Sequence, residues 1–410
     1  MKKDGKVAIT GIGMINALGC SAAECWDAML SGRSGISRVQ RIDVSDCITQ
    51  IGGELPGEYY NLEKGAFSRR LFKQTEVTTR LGILCAREAM RDSGFSVEGR
   101  DPQACAVITG TGQTGYEQSV DLDGEPSKFA VIQQMANALS GWISIDYGFK
   151  GPSYNIATAC ASGAFAIAAA HRHIAIGAGE AVMVVGVDAM LSVRSLKGFN
   201  QLAAISERND EPEAASRPFD LTRDGFVLAN GGAALLLESE ESARRRSARI
   251  YASVSGCGLC SEAYNIVAPE PSGAAMAQSM SLALEEAEIS PEQVGYISAH
   301  GTSTPHNDAA ETAAIKHAFG DHARHLAISS QKSMTGHTIG GAGAIECATT
   351  ALCLYHGAIT PTINYRTPDP RCDLDYVPNE ARDAKDLRVA LSNSFGFGGH
   401  NSTILLQKTP

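Results

Sequence analysis

A cysteine, two histidines and a lysine stand in contexts that suit nucleophilic chemistry. Thr158-Ala159-Cys160-Ala161-Ser162-Gly163 lies between a strand-like run and an alanine-dense stretch, Ala164 to Ala170. A cysteine on a tight turn at a helix N-terminus meets the positive end of the helix dipole, which lowers the thiol pKa and favours the nucleophilic thiolate. Taken alone, a buried structural cysteine is the commoner explanation; the motifs that follow shift the balance. Ala299-His300-Gly301-Thr302-Ser303-Thr304-Pro305 follows another strand-like run. His300 therefore falls at a strand's carboxyl end, where open α/β sheets place ligand sites. A turn histidine bonded to its own loop is the bland alternative. Ser330-Gln331-Lys332-Ser333-Met334-Thr335-Gly336-His337 again follows a strand and precedes Gly340-Gly341-Ala342-Gly343. Lys332 and His337 thus share one compact turn, and Glu346 on the next helix can pair with the lysine or with a loop. Asn393-Ser394-Phe395-Gly396-Phe397-Gly398-Gly399-His400-Asn401 carries glycines that let backbone amides approach a substrate. An oxyanion hole or a mobile gate would use it well, although alone it also reads as a tight turn between paired strands.

The elements that must position these residues alternate along the chain. Strands are expected at Val7-Thr10, Ala106-Thr109, Ala181-Val187, Ala233-Glu238, Tyr296-Ala299, Leu326-Ser329 and Arg388-Ser392, with Gly11 starting a turn. Helices are expected at Thr75-Ser93, Ser162-Ile176, Gly273-Glu288, Asp308-Phe319 and Gly341-Tyr355. That alternation is the pattern of an α/β fold whose sheets are covered by helices. Two segments share a plan: Tyr154-Asn155-Ile156-Ala157 and Leu326-Ala327-Ile328-Ser329 each run into small residues and then an apolar helix. They hint at a duplicated fold. The charged stretch Glu238 to Arg249 is the candidate seam, dividing the chain into halves 1–249 and 250–410, or else a solvated helix.

Composition narrows the function further. A chain of 410 residues with a formal net charge of -10 disfavours nucleic acid as a partner, while a local basic patch could still receive an acidic protein. The eleven cysteines are scattered, several in small apolar contexts such as Cys85, Cys105 and Cys353, and a reducing cytoplasm is expected. The single Cys-x-x-Cys, Cys257 to Cys260, lacks a second pair, so a metal or redox role is a minor reading, and no metal is expected. His171 and His173, two apart on a helix, face different ways and make a poor metal pair. Gly110 to Gly115 matches the dinucleotide fingerprint in form only, lacking the helix, second strand and acidic residue about 20 positions on. The apolar start, Val7 to Leu18, imitates a secretory signal but carries Asn16 and three glycines, and reads instead as a buried strand. No run reaches the roughly 18 apolar residues that a membrane span needs.

With Cys160, His300, Lys332, His337 and the Phe397 loop in this order, the sequence resembles the β-ketoacyl-[acyl-carrier-protein] synthases. The likeness is greatest to the type II elongating synthase and extends to ketosynthase subunits of type II polyketide synthases. It covers essentially the whole chain, including Gly151-Pro152-Ser153, Ser216-Arg217-Pro218-Phe219-Asp220, Asp224-Gly225-Phe226-Val227-Leu228 and Cys372 to Pro378. The resemblance implies a duplicated, thiolase-like five-layer α/β/α/β/α fold and a decarboxylative condensation of an acyl group on Cys160 with malonyl carried by acyl carrier protein. It also implies that His300 and His337 hydrogen-bond the malonyl thioester carbonyl as it becomes an enolate, supported by Lys332, with Glu346 stabilising the loops. Thr302 and Thr304 would then lie near the carrier's pantetheine arm, Phe395 and Phe397 in the substrate-binding motif with Phe397 as gate, and the Cys160 and Phe397 amides in the oxyanion hole. No cofactor is implied beyond the phosphopantetheine of the carrier. The implied partners are acyl carrier protein and either a second copy or a chain-length-factor-like subunit, with no nucleic acid and no membrane.

The chain also departs from the family pattern. Gln113, then Tyr116, stand where elongating synthases present an apolar residue to the acyl pocket. Lys128-Phe129-Ala130-Val131-Ile132-Gln133-Gln134 replaces a stretch usually rich in aromatics and proline, and Asn230 replaces a common acidic residue. A buried glutamine costs free energy unless partnered, so a polar growing chain or an unusual dimer partner enters consideration. Saturated fatty acid elongation and a specialised polyketide or polyene role both remain open at this point. The other class of reading is a catalytically silent chain-length-factor-like subunit, against which Cys160 and both histidines count.

Overall fold

The computed structural model describes residues 6–112 and 128–409. Ten strands form its main sheet: β1 (Val7–Asn16), β2 (Cys105–Gly110), β3 (Ser153–Ile156), β4 (Ala181–Ala189), β5 (Asn230–Ser239), β6 (Ala252–Ser261), β7 (Tyr296–Ser298), β8 (Ala327–Ser329), β9 (Val389–Gly396) and β10 (His400–Gln407). Their spatial order is β8-β7-β9-β10-β6-β1-β5-β4-β2-β3. Read outward from the β1–β6 contact, each side repeats one plan. In the first half β1 is antiparallel to β5, β5 antiparallel to β4, and β4, β2 and β3 run parallel. In the second half β6, β10, β9, β7 and β8 repeat those relations in the same order. Antiparallel pairing of Val7-Ala8-Ile9 with Val254-Ser253-Ala252 joins the two. The fold is thiolase-like and duplicated.

The five longest described helices build most of the layers: α1 (Val77–Ser93), α2 (Ser162–Ala175), α3 (Ala274–Ala287), α4 (Asn307–Phe319) and α5 (Ala342–His356). Helices α2 and α5 pack on each other and touch strands of both halves, so they form the central layer. Helix α1 covers β1, β5 and β4 from outside, and α3 covers β6 and β10. A buried helix must be apolar on all sides, and α5 obeys: every residue from Ala342 to Leu354 is buried. Strand β4, Ala-Val-Met-Val-Val-Gly-Val-Asp-Ala, is a near-continuous apolar run because helices cover both of its faces.

One expectation needs correction. The first strand does not turn at Gly11 but runs on to Asn16 through a bulge at Thr10. Its glycines serve close approach instead: a Cβ on Gly11 or Gly13 would stand about 2 Å from the carbonyl oxygens of Ala89 or Cys85 on α1. Cys257 and Cys260 lie three apart on β6 and so face opposite sides of the sheet. Of the charged stretch, Glu240–Arg245 forms a short helix, and Arg246 pairs with Glu238 at the end of β5. No helix among the described residues is long and apolar enough to cross a membrane.

One buried cation ties the loops beneath the site. Arg223, fully buried, donates to Asp369 at 2.7 Å, lies 3.5 Å from Asp308 and donates to the carbonyls of Thr304 and Pro305. Removing one partner of a buried ion pair strands the other charge. Arg223→Met is therefore expected to lower unfolding free energy by about 3–5 kcal/mol in denaturant titrations, and a loss under about 1 kcal/mol would contradict the role assigned to it.

Candidate active site

The parallel strands of both halves deliver their carboxyl ends to one cavity of about 570 Å³. Strand β3 leads to the turn Ala159–Ala161, which carries Cys160 at the mouth of α2. Ala159 is held at φ +48, a left-handed conformation that costs a non-glycine residue about 1–2 kcal/mol. The matching turn of the second half, Ile339–Gly341 before α5, has Ile339 at φ +49 and Gly340 where the first half has cysteine. Asp188, at the end of β4, accepts from the amides of Gly340 and Gly112 and so ties the second turn to the end of β2.

Cys160, His300, His337, Thr302, Thr304, Phe395 and Phe397 all line this cavity. The two imidazoles stand edge to face with ring centres 5.5 Å apart, and Phe395 packs edge-on against His300. Thr302 and Thr304 have their hydroxyls 3.0 Å apart. Lys332 and Glu346 stand behind the rings and pair with each other in the interior. Lys332 Nζ also donates to the His300 carbonyl at 2.6 Å and lies 3.3 Å from His300 Nδ1. An ammonium can only donate, so Nδ1 must accept and the ring proton of His300 is placed on Nε2. Gln113 lies outside the described residues; its neighbour Gly112 lines the cavity.

Burial governs the charge states. It holds both His300 and His337 well below the ordinary histidine range, and the charge on Lys332 pushes the same way, so both rings are neutral at pH 7. Burial pushes Glu346 up to about 7 even against Lys332. It also pushes the Cys160 thiol up to about 11, with Lys332 and the amide of Phe397 acting in the opposite direction. The expectation that the helix dipole would lower this thiol is thus corrected: the position at a helix start is as read, but desolvation outweighs it. The resting nucleophile is a thiol whose proton must leave as it attacks.

The Phe395–Gly399 segment closes on the nucleophile through a glycine. A Cβ on Gly396 would stand 2.7 Å from the Thr158 carbonyl and 3.2 Å from the Cys160 amide. Only glycine lets β9 come close enough for the Phe397 amide to bond the Cys160 sulfur. Motif reading missed two supports. Glu311 accepts the amides of His300 and Gly301 at 2.9 and 2.8 Å, fixing the histidine loop, and burial raises it to about 7. Asp188 is the other. The usable signal for Glu311 was an acidic pair, Asp308 and Glu311, one turn apart in the alanine-rich start of α4.

Comparison with known proteins agrees with this geometry. The family model "Beta-ketoacyl synthase, N-terminal domain" matches residues 4–243, and its C-terminal counterpart matches residues 251–366. Proteins named 3-oxoacyl-[acyl-carrier-protein] synthase 2 from Synechocystis sp. and Coxiella burnetii are each 40% identical to the chain, with 98% of both sequences covered in each case. A β-ketoacyl synthase from Burkholderia phymatum superposes with TM-score 0.90 at 32% identity, over 99% of this chain and 100% of that one. The ketosynthase of a type II polyketide synthase, solved with its acyl-carrier protein and a hexaketide, gives 0.88 at 32% with the same coverage.

Two outcomes follow from the burial of the nucleophile and its tight contact with β9. Alkylation of Cys160 by iodoacetamide should accelerate continuously from pH 7 past pH 10, since the thiol titrates near 11; a plateau by pH 9 would contradict it. Gly396→Ala should slow acylation of Cys160 by about 10²-fold or more, the usual cost of one oxyanion donor, as read by intact-protein mass spectrometry.

Proposed function

The chain belongs to the β-ketoacyl synthase family and is an acyl-transferring condensing enzyme of the 3-oxoacyl-[acyl-carrier-protein] synthase type, and on that premise we propose how its residues divide the reaction. Cys160 attacks an acyl thioester; the acyl group moves to its sulfur, and the carrier thiol leaves with the proton. Malonyl thioester then enters and loses CO₂. His300, through Nε2–H, and His337 donate to the thioester oxygen as it becomes an enolate, and the resulting carbanion attacks the acyl-Cys160 carbonyl. The amides of Cys160 and Phe397 stabilise that tetrahedral oxyanion, and the Cys160 thiolate departs and takes up a proton. Lys332 and Glu346 support the rings without touching the reacting atoms.

One observation carries this reading: a buried thiol and two neutral imidazoles converge on a single cavity. The same observation weighs against a silent, chain-length-factor-like subunit. Met190, Phe199, Leu202, Phe226 and Ile339 form an apolar stretch of the wall that suits an alkyl chain and favours fatty acid elongation over a polar polyketide, while Glu262, His306 and Asn307 also line the cavity. We assign the acyl carrier protein as delivering partner, with its pantetheine passing Thr302 and Thr304, and require no further cofactor. The outermost described strand of the first half, β3, presents exposed Ser153 and Tyr154, an edge open to a second copy or a related subunit. All eleven cysteines are free thiols, which supports a reducing cytoplasm. The short helix Glu240–Arg245 leads into β6, which supports dividing the chain into 1–249 and 250–410.

Incubating the purified chain alone with malonyl and saturated acyl groups on carrier protein should yield β-ketoacyl products. Failure to extend any saturated primer would overturn the fatty acid reading. His300→Ala should cut malonyl decarboxylation by about 10²–10³-fold while leaving acylation of Cys160 within a few-fold of normal, a split that stopped-flow CO₂ release and mass spectrometry resolve.

A further inference from the structure

Away from the cavity, three elements distant in sequence bring metal-ligating atoms together. His171 lies near the C-terminal end of the central helix α2, Cys257 on β6 and Glu286 in the last turn of α3. One ligand atom from each lies within 4.8 Å of the other two. His171 Nδ1 is buried and has no hydrogen-bond partner, while the residue as a whole is only 6% exposed. Such an orphaned ring nitrogen costs stability unless something occupies its lone pair. It faces Glu286 Oε1 at 4.0 Å, too far for a hydrogen bond. The other carboxylate oxygen, Oε2, accepts the Cys257 amide at 2.7 Å, which orients the group and leaves Oε1 toward the cluster.

We propose that His171, Cys257 and Glu286 form a binding site for a divalent transition metal of the zinc class, pinning the central helix to β6 and α3. Thiolate, imidazole and carboxylate are the ligand set that Zn²⁺ accepts, and bond lengths of about 2.0–2.3 Å put ligand atoms about 3.3–3.8 Å apart in a tetrahedron. Closing the cluster needs a contraction of about 1 Å, within reach of Glu286, whose side chain is 36% exposed. That exposure gives the ion an entrance and water a fourth position. Binding breaks the Cys257 S–H bond, the sulfur lone pair goes to the metal and the proton to solvent. Burial and the neighbouring Glu286 push the Cys257 thiol up, and the Arg172 guanidinium, which donates to the Cys257 carbonyl at 3.3 Å, acts in the opposite direction. Residues 257 and 260, the pair that sequence spacing suggests, do not chelate; the partners come from other elements.

The full-length protein, stripped with chelator and dialysed, is titrated with Co²⁺ and then Zn²⁺. One equivalent of Co²⁺ should produce a thiolate-to-cobalt charge-transfer band in the near ultraviolet, with one proton released, and Zn²⁺ should displace it and raise Tm. Cys257→Ser should abolish the band. Losing even an outer-shell partner weakens metal sites by about 10–100-fold, so Glu286→Gln, a change at a half-exposed position, should weaken binding at least about tenfold with condensing activity unchanged. Absence of the band, its survival in Cys257→Ser, or equal affinity in Glu286→Gln would overturn the assignment.

Discussion

A single buried cation organises the catalytic centre. Lys332 is almost wholly enclosed, and an isolated ammonium there would cost several kcal/mol, so it is stable only with Glu346 against it. The consequences spread outward from that pair. The cation faces His300 Nδ1, which fixes the ring proton on Nε2, and its charge opposes protonation of both rings. Two neutral imidazoles can each donate one hydrogen bond to an oxygen that gains charge, and they need no proton transfer to do so. A second buried carboxylate, Glu311, holds the histidine loop by its amides and leaves the rings free.

The duplicated topology explains why this centre is divided as it is. Each half sends a 3₁₀ turn into a central helix, and each turn stores one left-handed residue, Ala159 or Ile339. Only the first turn bears a nucleophile; the second has Gly340 in its place. The halves have specialised: the first supplies the thiol, and the loops after β7 and β8 in the second supply the imidazoles and the lysine. Burial between the two halves also makes the thiol hard to ionise, so acylation depends on amides that meet charge as it forms.

Much of this was legible in the chain. The strands that proved right, such as Ala181–Ala189, are continuous apolar runs covered on both faces, and residues at strand ends marked the site. Strand β10 was harder to read because its first residues belong to the glycine-rich motif. The thiol pKa was misjudged for a physical reason: the helix dipole is local and visible in sequence, whereas desolvation depends on segments hundreds of residues away. Glu311 was missed for the same cause, since an acidic residue in an alanine-rich helix reads as solvated until a second loop buries it. The cluster of His171, Cys257 and Glu286 left no spacing signal at all, because each residue sits on a different element.

The claim that Lys332 sets the state of His300 can be measured directly by nitrogen-15 NMR of histidine-labelled protein, with His300 assigned through its substitution. The account predicts a neutral ring with an unprotonated Nδ1 and a protonated Nε2, unchanged as pH is lowered from 8 through 6, because burial and Lys332 both oppose protonation. A ring that carries its proton on Nδ1, or that becomes imidazolium near the ordinary histidine value of about 6.5, would contradict it.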